Sequence, residues 1–133
     1  MTKRRLLCHQ CYDAVNPLFI LRYSMRGERM SIADNYLRVS EELAAACVEV
    51  ARDPDDVCLL AVSKTVGVDG VRDAIEAGAV DFGENRPDLL IEKAEEFPDR
   101  RWHFIGNIQS RRIEDIVRSS TLIHSLYQEK HAI

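Results

Sequence analysis

Three polar side chains in this sequence stand beside apolar segments in a way that could support chemistry. Lys64 closely follows the apolar run 57–62, Asn85 follows the segment 79–82 by a short turn, and His103 lies within 102–105. Burial beside an apolar strand disfavours the ammonium form of a lysine and lowers its pKa. A neutral amine is what Schiff-base chemistry with an aldehyde requires. Lys64 is therefore a candidate nucleophile, with Asn85 and His103 as candidate neighbours.

Each of these residues also has a purely structural interpretation. A lysine at a strand end commonly extends its amine into solvent. An asparagine such as Asn85, after Gly-Glu, is typical of a turn or a helix N-cap. A single histidine in a strand is often a hydrogen-bonded core residue. Periodicity alone favours these structural interpretations over the chemical ones.

The elements that would position these residues alternate between helix and strand. Ser31 and Asp34 form a capping-box pattern that opens a first helix. The unbroken apolar run 57–62 is typical of a strand that is buried on both faces of a parallel sheet. Further strands are predicted at 79–82, 102–105 and 121–124, with helical patterns between them.

This order, a helix followed by alternating strands and helices, predicts an α/β fold with about four parallel strands. Active sites of such folds lie at the carboxyl ends of the strands. The polar residues at those ends are expected to share one rim: Ser63 and Lys64; Gly83, Glu84 and Asn85; Gly106, Asn107 and Gln109; His124 and Ser125.

Composition limits the classes of function. The net charge of −4 is not that of a nucleic-acid-binding protein, and no apolar run is long enough to cross a membrane. Of the four cysteines, Cys47 and Cys58 are predicted to be small buried hydrophobic residues, and Cys8 and Cys11 lack the second pair that a zinc site needs. We expect no metal and a cytoplasmic location.

The first 29 residues differ in character from the rest. They contain six basic and two acidic residues and show no helical or strand periodicity. We interpret residues 1–29 as a poorly ordered extension that need not be native, because Met30 and Ser31 form a plausible start. Residues 30–133 are then the folded domain.

Three segments in order resemble the pyridoxal phosphate homeostasis family. They are Leu-Leu-Ala-Val-Ser-Lys-Thr from Leu59, Phe-Gly-Glu-Asn from Phe82, and Trp-His-Phe-Ile-Gly-Asn-Ile-Gln-Ser from Trp102. The resemblance implies a (β/α)8 barrel like that of alanine racemase, with pyridoxal 5'-phosphate held as a Schiff base on Lys64. It also implies that Asn85 and His103 line the cofactor ring.

The same resemblance implies the biological role. Family members buffer or deliver the cofactor, and clear turnover is not generally attributed to them, so we expect a carrier rather than an enzyme. Gly106 and Gln109 match further motif positions. The sequence departs from the family pattern at Arg86-Pro87-Asp88 and at Arg111-Arg112. These departures affect the contacts expected at the rim but not the assignment of Lys64.

Length sets a further expectation, because a complete barrel takes about 250 residues. We therefore expect the N-terminal half of the barrel, without the segment that holds the cofactor phosphate in the family. A half barrel leaves two unpaired parallel edges, through which the chain could self-associate.

Two alternatives stay open at this stage. A fragment of a pyridoxal-phosphate-dependent racemase or decarboxylase would be revealed by a racemisation assay. A non-binding half-barrel remnant would take up no cofactor and would fold only with a partner.

Overall fold

Helices and strands alternate along the residues that the computed structural model describes, which are 30–127 and 129. The predicted extension over 1–29 lies outside these residues. The elements in chain order are α1 (Ile32–Glu49), β1 (Leu60–Val62), α2 (Val68–Glu76), β2 (Asp81–Glu84), α3 (Pro87–Glu96), β3 (Arg101–Phe104), α4 (Ile113–Ser119) and β4 (Leu122–Ile123), with 3-10 turns at Pro54–Asp56 and Ser110–Arg112.

The four strands form one parallel sheet in the order β1-β2-β3-β4. Each strand therefore pairs with the next strand along the chain, with a helix as the crossover between them, which is the βαβ arrangement. The predicted α/β fold class, with about four parallel strands behind a leading helix, is confirmed. Sequential parallel order is that of one half of an eight-stranded barrel.

The core lies on the face of the sheet that the helices cover. Phe82 and Phe104 are fully buried, and Phe82 packs against Trp102 with ring centroids 5.2 Å apart. Leu90 of α3 and Ile116 of α4 are also fully buried and belong to the same apolar cluster. Burial of these large side chains holds α3 and α4 against the sheet.

Local signals in the sequence set the ends of two helices. The Ser31 hydroxyl accepts a hydrogen bond from the Asp34 backbone N–H at 3.1 Å, and the Asp34 carboxylate accepts one from the Ser31 N–H at 3.1 Å. This is the predicted capping box. Gly78, just beyond α2, has a φ of 99°, a left-handed conformation that glycine adopts at low cost.

The first strand differs from its prediction. The apolar run 57–62 was expected to be a strand buried on both faces, but β1 covers only Leu60–Val62 and Val62 is 49% exposed. Among the described residues, no helix or strand packs over this second face of the sheet. Cys58 is exposed as well, so its predicted burial is wrong, whereas the predicted burial of Cys47 is confirmed at 5% exposure.

Replacing Phe104 with alanine is expected to lower the free energy of unfolding by about 3–5 kcal/mol, because the large ring would leave a cavity in the packed core. Urea unfolding measures the change. The matched control is Val117→Ala in α4, where the side chain is 57% exposed, so its effect should stay within about 0.5 kcal/mol. Equal losses for both variants would contradict the assigned core.

Candidate functional site

Lys64 and Asn85 are neighbours at the carboxyl ends of the first two strands. The Ser63 N–H donates to the Gly83 carbonyl at 2.9 Å, so parallel pairing continues one residue beyond β1. The Ser63 hydroxyl also donates to the Glu84 carboxylate at 2.9 Å. Lys64 directly follows Ser63 and Asn85 directly follows Glu84, so these contacts bring both residues to one rim.

The register places His103 on the same face of the sheet. Val62 pairs with Gly83, and Gly83 pairs with His103. Side chains alternate between the two faces of a strand. Lys64 lies two residues beyond Val62, and Asn85 lies two residues beyond Gly83. Both therefore share with His103 the face of the sheet that no described helix covers, here called the helix-free face, one row further along the strands. The structure thus brings the three sequence-predicted residues to one region.

Lys64 is exposed, as the structural interpretation of a lysine at a strand end expects, and it lacks the apolar surroundings on which the chemical interpretation relied. The reason is that Val62, the preceding residue on that face, is itself half exposed because no described element covers the helix-free face. Within 30–127 and 129, the Lys64 amine makes no hydrogen bond or ion pair, so no described group competes with a ligand for it.

His103 belongs to a hydrogen-bonded chain of side chains on the helix-free face. Its Nε2 lies 3.1 Å from Asp81 Oδ1, and its Nδ1 lies 2.9 Å from His124 Nε2. Ionised Asp81 can only accept, so His103 donates from Nε2. A neutral His103 then accepts at Nδ1 from the Nε2–H of His124. The imidazole of His103, 7% exposed, is therefore held from both sides.

Arg101 anchors the other end of this chain. Its Nε donates to Asp81 Oδ1 at 2.6 Å, and a second guanidinium nitrogen donates to Oδ2, which makes the pair bidentate. Burial opposes the ionisation of Asp81, but hydrogen bonds from Arg101, Cys58 and His103 outweigh it and hold the pKa of Asp81 below its ordinary value. Asp81 is therefore a carboxylate at neutral pH.

Cys58 completes this group as a thiol. Although Cys58 is largely exposed, partial desolvation raises the pKa of its thiol, and the hydrogen bond to Asp81 and the charge of that carboxylate raise it further. The protonated form is the one that can donate to Asp81. The environment therefore makes Cys58 a hydrogen-bond donor and a poor nucleophile.

Gly106 sets the distance between the rims of β2 and β3. A Cβ atom at this position would lie 2.0 Å from the carbonyl oxygen of Asn85. The backbones therefore approach as closely as they do only because residue 106 has no side chain. The Ser125 hydroxyl donates to the Gly106 carbonyl and ties the residues after β4 to the same rim. Gln109, the other motif residue, is exposed and accepts from Arg111 at 3.2 Å.

Glu84 was expected at the open rim, and this placement is wrong. Its side chain is fully buried on the helix side of the sheet, where it pairs with Lys93 of α3. Sequence reasoning missed Lys93, although its position three residues after Leu90 places it on the buried face of α3. It also missed Asp81 and Arg101, which only the cross-strand register brings to His103.

Two negative findings apply to the described part of the chain. No group of three or more His, Cys, Asp and Glu side chains there has the arrangement to hold a metal ion. No helix among residues 30–127 and 129 combines the length and the apolar character needed to span a bilayer.

Replacing Asp81 with asparagine is expected to lower the free energy of unfolding at pH 7 by about 1–3 kcal/mol, because charged hydrogen bonds to partly buried groups are lost. The folded-state pKa of Asp81 is depressed. Its stabilisation is therefore present above the unfolded-state pKa of about 4 and is lost as the pH falls through the lower folded-state value.

Urea unfolding of both proteins at pH 7 and at decreasing acid pH measures this difference. The gap between wild type and Asp81→Asn should narrow as the pH falls below about 4. Asp69→Asn, at a carboxylate whose side chain is 97% exposed, is the control and should show no such gap. A gap for Asp81→Asn that is independent of pH would rule out a contribution from the ionised carboxylate.

No family model matches the chain. The pyridoxal phosphate homeostasis protein of Pseudomonas aeruginosa is 40% identical over 104 residues, which cover 77% of this chain and 45% of that protein. The corresponding protein of Escherichia coli K12 is 33% identical over 100 residues, covering 71% of this chain and 43% of its own length.

Solved structures agree in fold. PipY of Synechococcus elongatus, in a structure with PLP bound, is 35% identical with a TM-score of 0.58, covering 71% of this chain and 44% of PipY. A protein of unknown function from Bifidobacterium adolescentis is 30% identical with a TM-score of 0.70, covering 76% of this chain and 46% of its own. The chain spans a little under half the length of the relatives that it matches. Sequence and fold together make this chain a homologue of the pyridoxal phosphate homeostasis proteins over that shared part.

Proposed function

We propose that this chain is a pyridoxal 5'-phosphate-binding protein of cofactor homeostasis, in which the cofactor is held on Lys64 as a Schiff base. The observation that supports this proposal most directly is the exposed Lys64 amine, which has no partner among the described residues and adjoins Asn85 at the strand rim. Homology to proteins named for pyridoxal phosphate homeostasis supports the choice of cofactor, and so does the likeness to PipY, which was solved with PLP bound.

The residues at the rim fit the aldehyde and ring portion of this cofactor. When bound, pyridoxal phosphate supplies an aldehyde carbon that a lysine amine can attack, with the carbonyl oxygen leaving as water. Lys64 supplies that amine, and the attack requires its neutral form. Asn85 offers both an amide donor and an amide acceptor to polar groups on the ring.

His103 contributes a side chain that is held in a fixed orientation. Asp81 and His124 fix its ring from two sides, so an approaching ligand meets an imidazole in one defined position. The group that holds the phosphate in the family is expected in the part of the relatives that this chain does not match. We therefore propose that the chain alone retains a reactive lysine but binds the cofactor weakly.

The proposal has three further parts. The protein acts as a carrier rather than as an enzyme and resides in the cytoplasm. The outer edges of β1 and β4, which pair with no further strand among residues 30–127 and 129, allow self-association. Parallel edge strands present unpaired backbone groups, which is the physical basis for the last part.

The test is a pyridoxal phosphate titration of the purified full chain, followed by borohydride reduction and peptide mass mapping. A saturable change in cofactor absorbance, with the reduced adduct on Lys64, would support the proposal. A folded chain that yields no adduct, or one whose adducts spread equally over its four lysines, would overturn it. Racemisation of an amino acid by the loaded chain would instead favour the alternative of a racemase fragment.

A further inference from the structure

Lys93 is a second lysine beneath the candidate site, on the opposite side of the sheet from the open face. Its side chain is 2% exposed, and its ammonium group makes three contacts. It donates to the Ser63 carbonyl at 2.9 Å and to the Val66 carbonyl at 2.8 Å, and it pairs with the Glu84 carboxylate.

The three contacts match the three N–H donors of an ammonium group. A buried charge is tolerated when it is paired and its remaining donors are satisfied. Glu84 supplies the opposite charge and is itself fully buried. Its Oε1 also accepts from the Ser63 hydroxyl, whereas its Oε2 is buried without a partner among the described residues. All three donors of the Lys93 ammonium are therefore satisfied, whereas one oxygen of the Glu84 carboxylate has no partner among the described residues.

The two carbonyls that Lys93 binds lie on either side of Lys64. Ser63 precedes it, and Val66 follows two residues later, with the Val66 N–H donating back to the Ser63 carbonyl at 3.1 Å. One ammonium group thus holds both ends of the turn that carries Lys64. The same group holds Glu84, the residue directly before Asn85, so it links the backbones of the two candidate cofactor residues.

We infer that Lys93 is a positioning residue that fixes the Ser63–Val66 turn, and with it Lys64, relative to Asn85. The role of this positioning in cofactor binding rests on the proposed function. Lys93 itself is committed to three contacts and buried behind the sheet, so it does not compete with Lys64 for an aldehyde.

The test needs a variant that removes these contacts without leaving a buried charge. Lys93→Met alone would leave the Glu84 carboxylate unpaired, and such a change destabilises the whole fold. The double variant Glu84→Gln with Lys93→Met removes both charges, and the glutamine can still accept from the Ser63 hydroxyl. Glu92→Gln is the matched control, because Glu92 lies on the same helix and is exposed.

A replacement is available if the double variant does not fold. Glu84→Gln with Lys93→Gln keeps a polar group at position 93, but the amide is too short to reach both carbonyls. Glu84→Gln alone is not a suitable control, because it would leave the buried Lys93 ammonium without its counter-charge.

The first readout is hydrogen exchange of the full chain without cofactor. The amides of Ser63 and Val66, which donate to the Gly83 and Ser63 carbonyls, should exchange about tenfold faster in the double variant because local opening becomes easier, while peptides of β3 keep the wild-type rate. The second readout is the rate of borohydride-trapped modification of Lys64 by pyridoxal phosphate, which should fall about fivefold or more because the amine is no longer held in place.

Each outcome decides one point. Wild-type exchange of the Ser63 and Val66 amides in the double variant would overturn the inference. Faster amide exchange together with an unchanged rate of Lys64 modification would mean that Lys93 does not position Lys64 for the cofactor, and would overturn that role. A wild-type chain that forms no adduct would refute the proposed function instead, and the exchange result would still decide whether Lys93 holds the turn.

Discussion

Replacing Lys64 with alanine is expected to abolish the borohydride-reducible pyridoxal phosphate adduct, with the yield falling by about a hundredfold or more because no other group can form the imine at that place. Lys64 is exposed and has no hydrogen bond or ion pair within the described residues. The thermal midpoint of the variant should therefore match the wild type within experimental error. Peptide mass mapping after reduction measures the adduct, and circular dichroism measures the midpoint.

Lys64→Arg is the control that separates charge from chemistry. Arginine keeps a positive charge at position 64, but its guanidinium stays protonated and does not form the imine. Both variants should therefore lose the adduct equally. Persistence of a saturable adduct in Lys64→Ala would refute the assignment of this residue, and adduct on Lys93 would also contradict its burial behind the sheet.

Replacing Gly106 with alanine is expected to lower the free energy of unfolding by about 1–3 kcal/mol, because the added methyl group overpacks a fully occupied contact. Its Cβ would lie 2.0 Å from the Asn85 carbonyl oxygen and 2.7 Å from the Asn85 carbonyl carbon. These are backbone atoms, which cannot rotate away as the end of a side chain would. The strain must therefore move the rim of β2 relative to β3, and Asn85 with it.

Gly67→Ala is the matched control for this change. An added Cβ there meets no atom within 4 Å, and the φ of −81° is accessible to alanine. Gly67 is the N-cap residue of α2, where alanine is less favourable than glycine, so this variant should lose no more than about 1 kcal/mol. Urea unfolding compares the two variants. If Gly106→Ala were as stable as Gly67→Ala, the close approach of Gly106 to Asn85 would be wrong.

The sequence was sufficient for the order of elements because those signals are local. Strands and helices of different periodicity alternate along the chain, and this alternation predicts a parallel sheet. The capping residues Ser31 and Asp34 and the terminal Gly78 act within a few residues of themselves, so their roles could be predicted before any packing was known. The placement of Lys64 and Asn85 at strand ends followed from the same alternation.

The neighbours of those residues depend on contacts between distant parts of the chain. Asp81, His103 and His124 lie on three different strands and meet only through the cross-strand register. Sequence patterns specify each strand but not which side chains become adjacent across strands. The same register brings Arg101 to Asp81.

The tertiary structure decided the burial of several residues. Cys58 was expected to be buried because it lies in an apolar run, yet it is exposed, since no described helix covers that face of the sheet. Lys93 is a residue type that is almost never buried unless paired, yet it is buried because Glu84 and two backbone carbonyls satisfy its ammonium group. The sequence by itself determined which elements form and where Lys64 stands along the chain. Packing decided which charges those elements bury, because a buried ammonium is stable only where the fold brings acceptors to it.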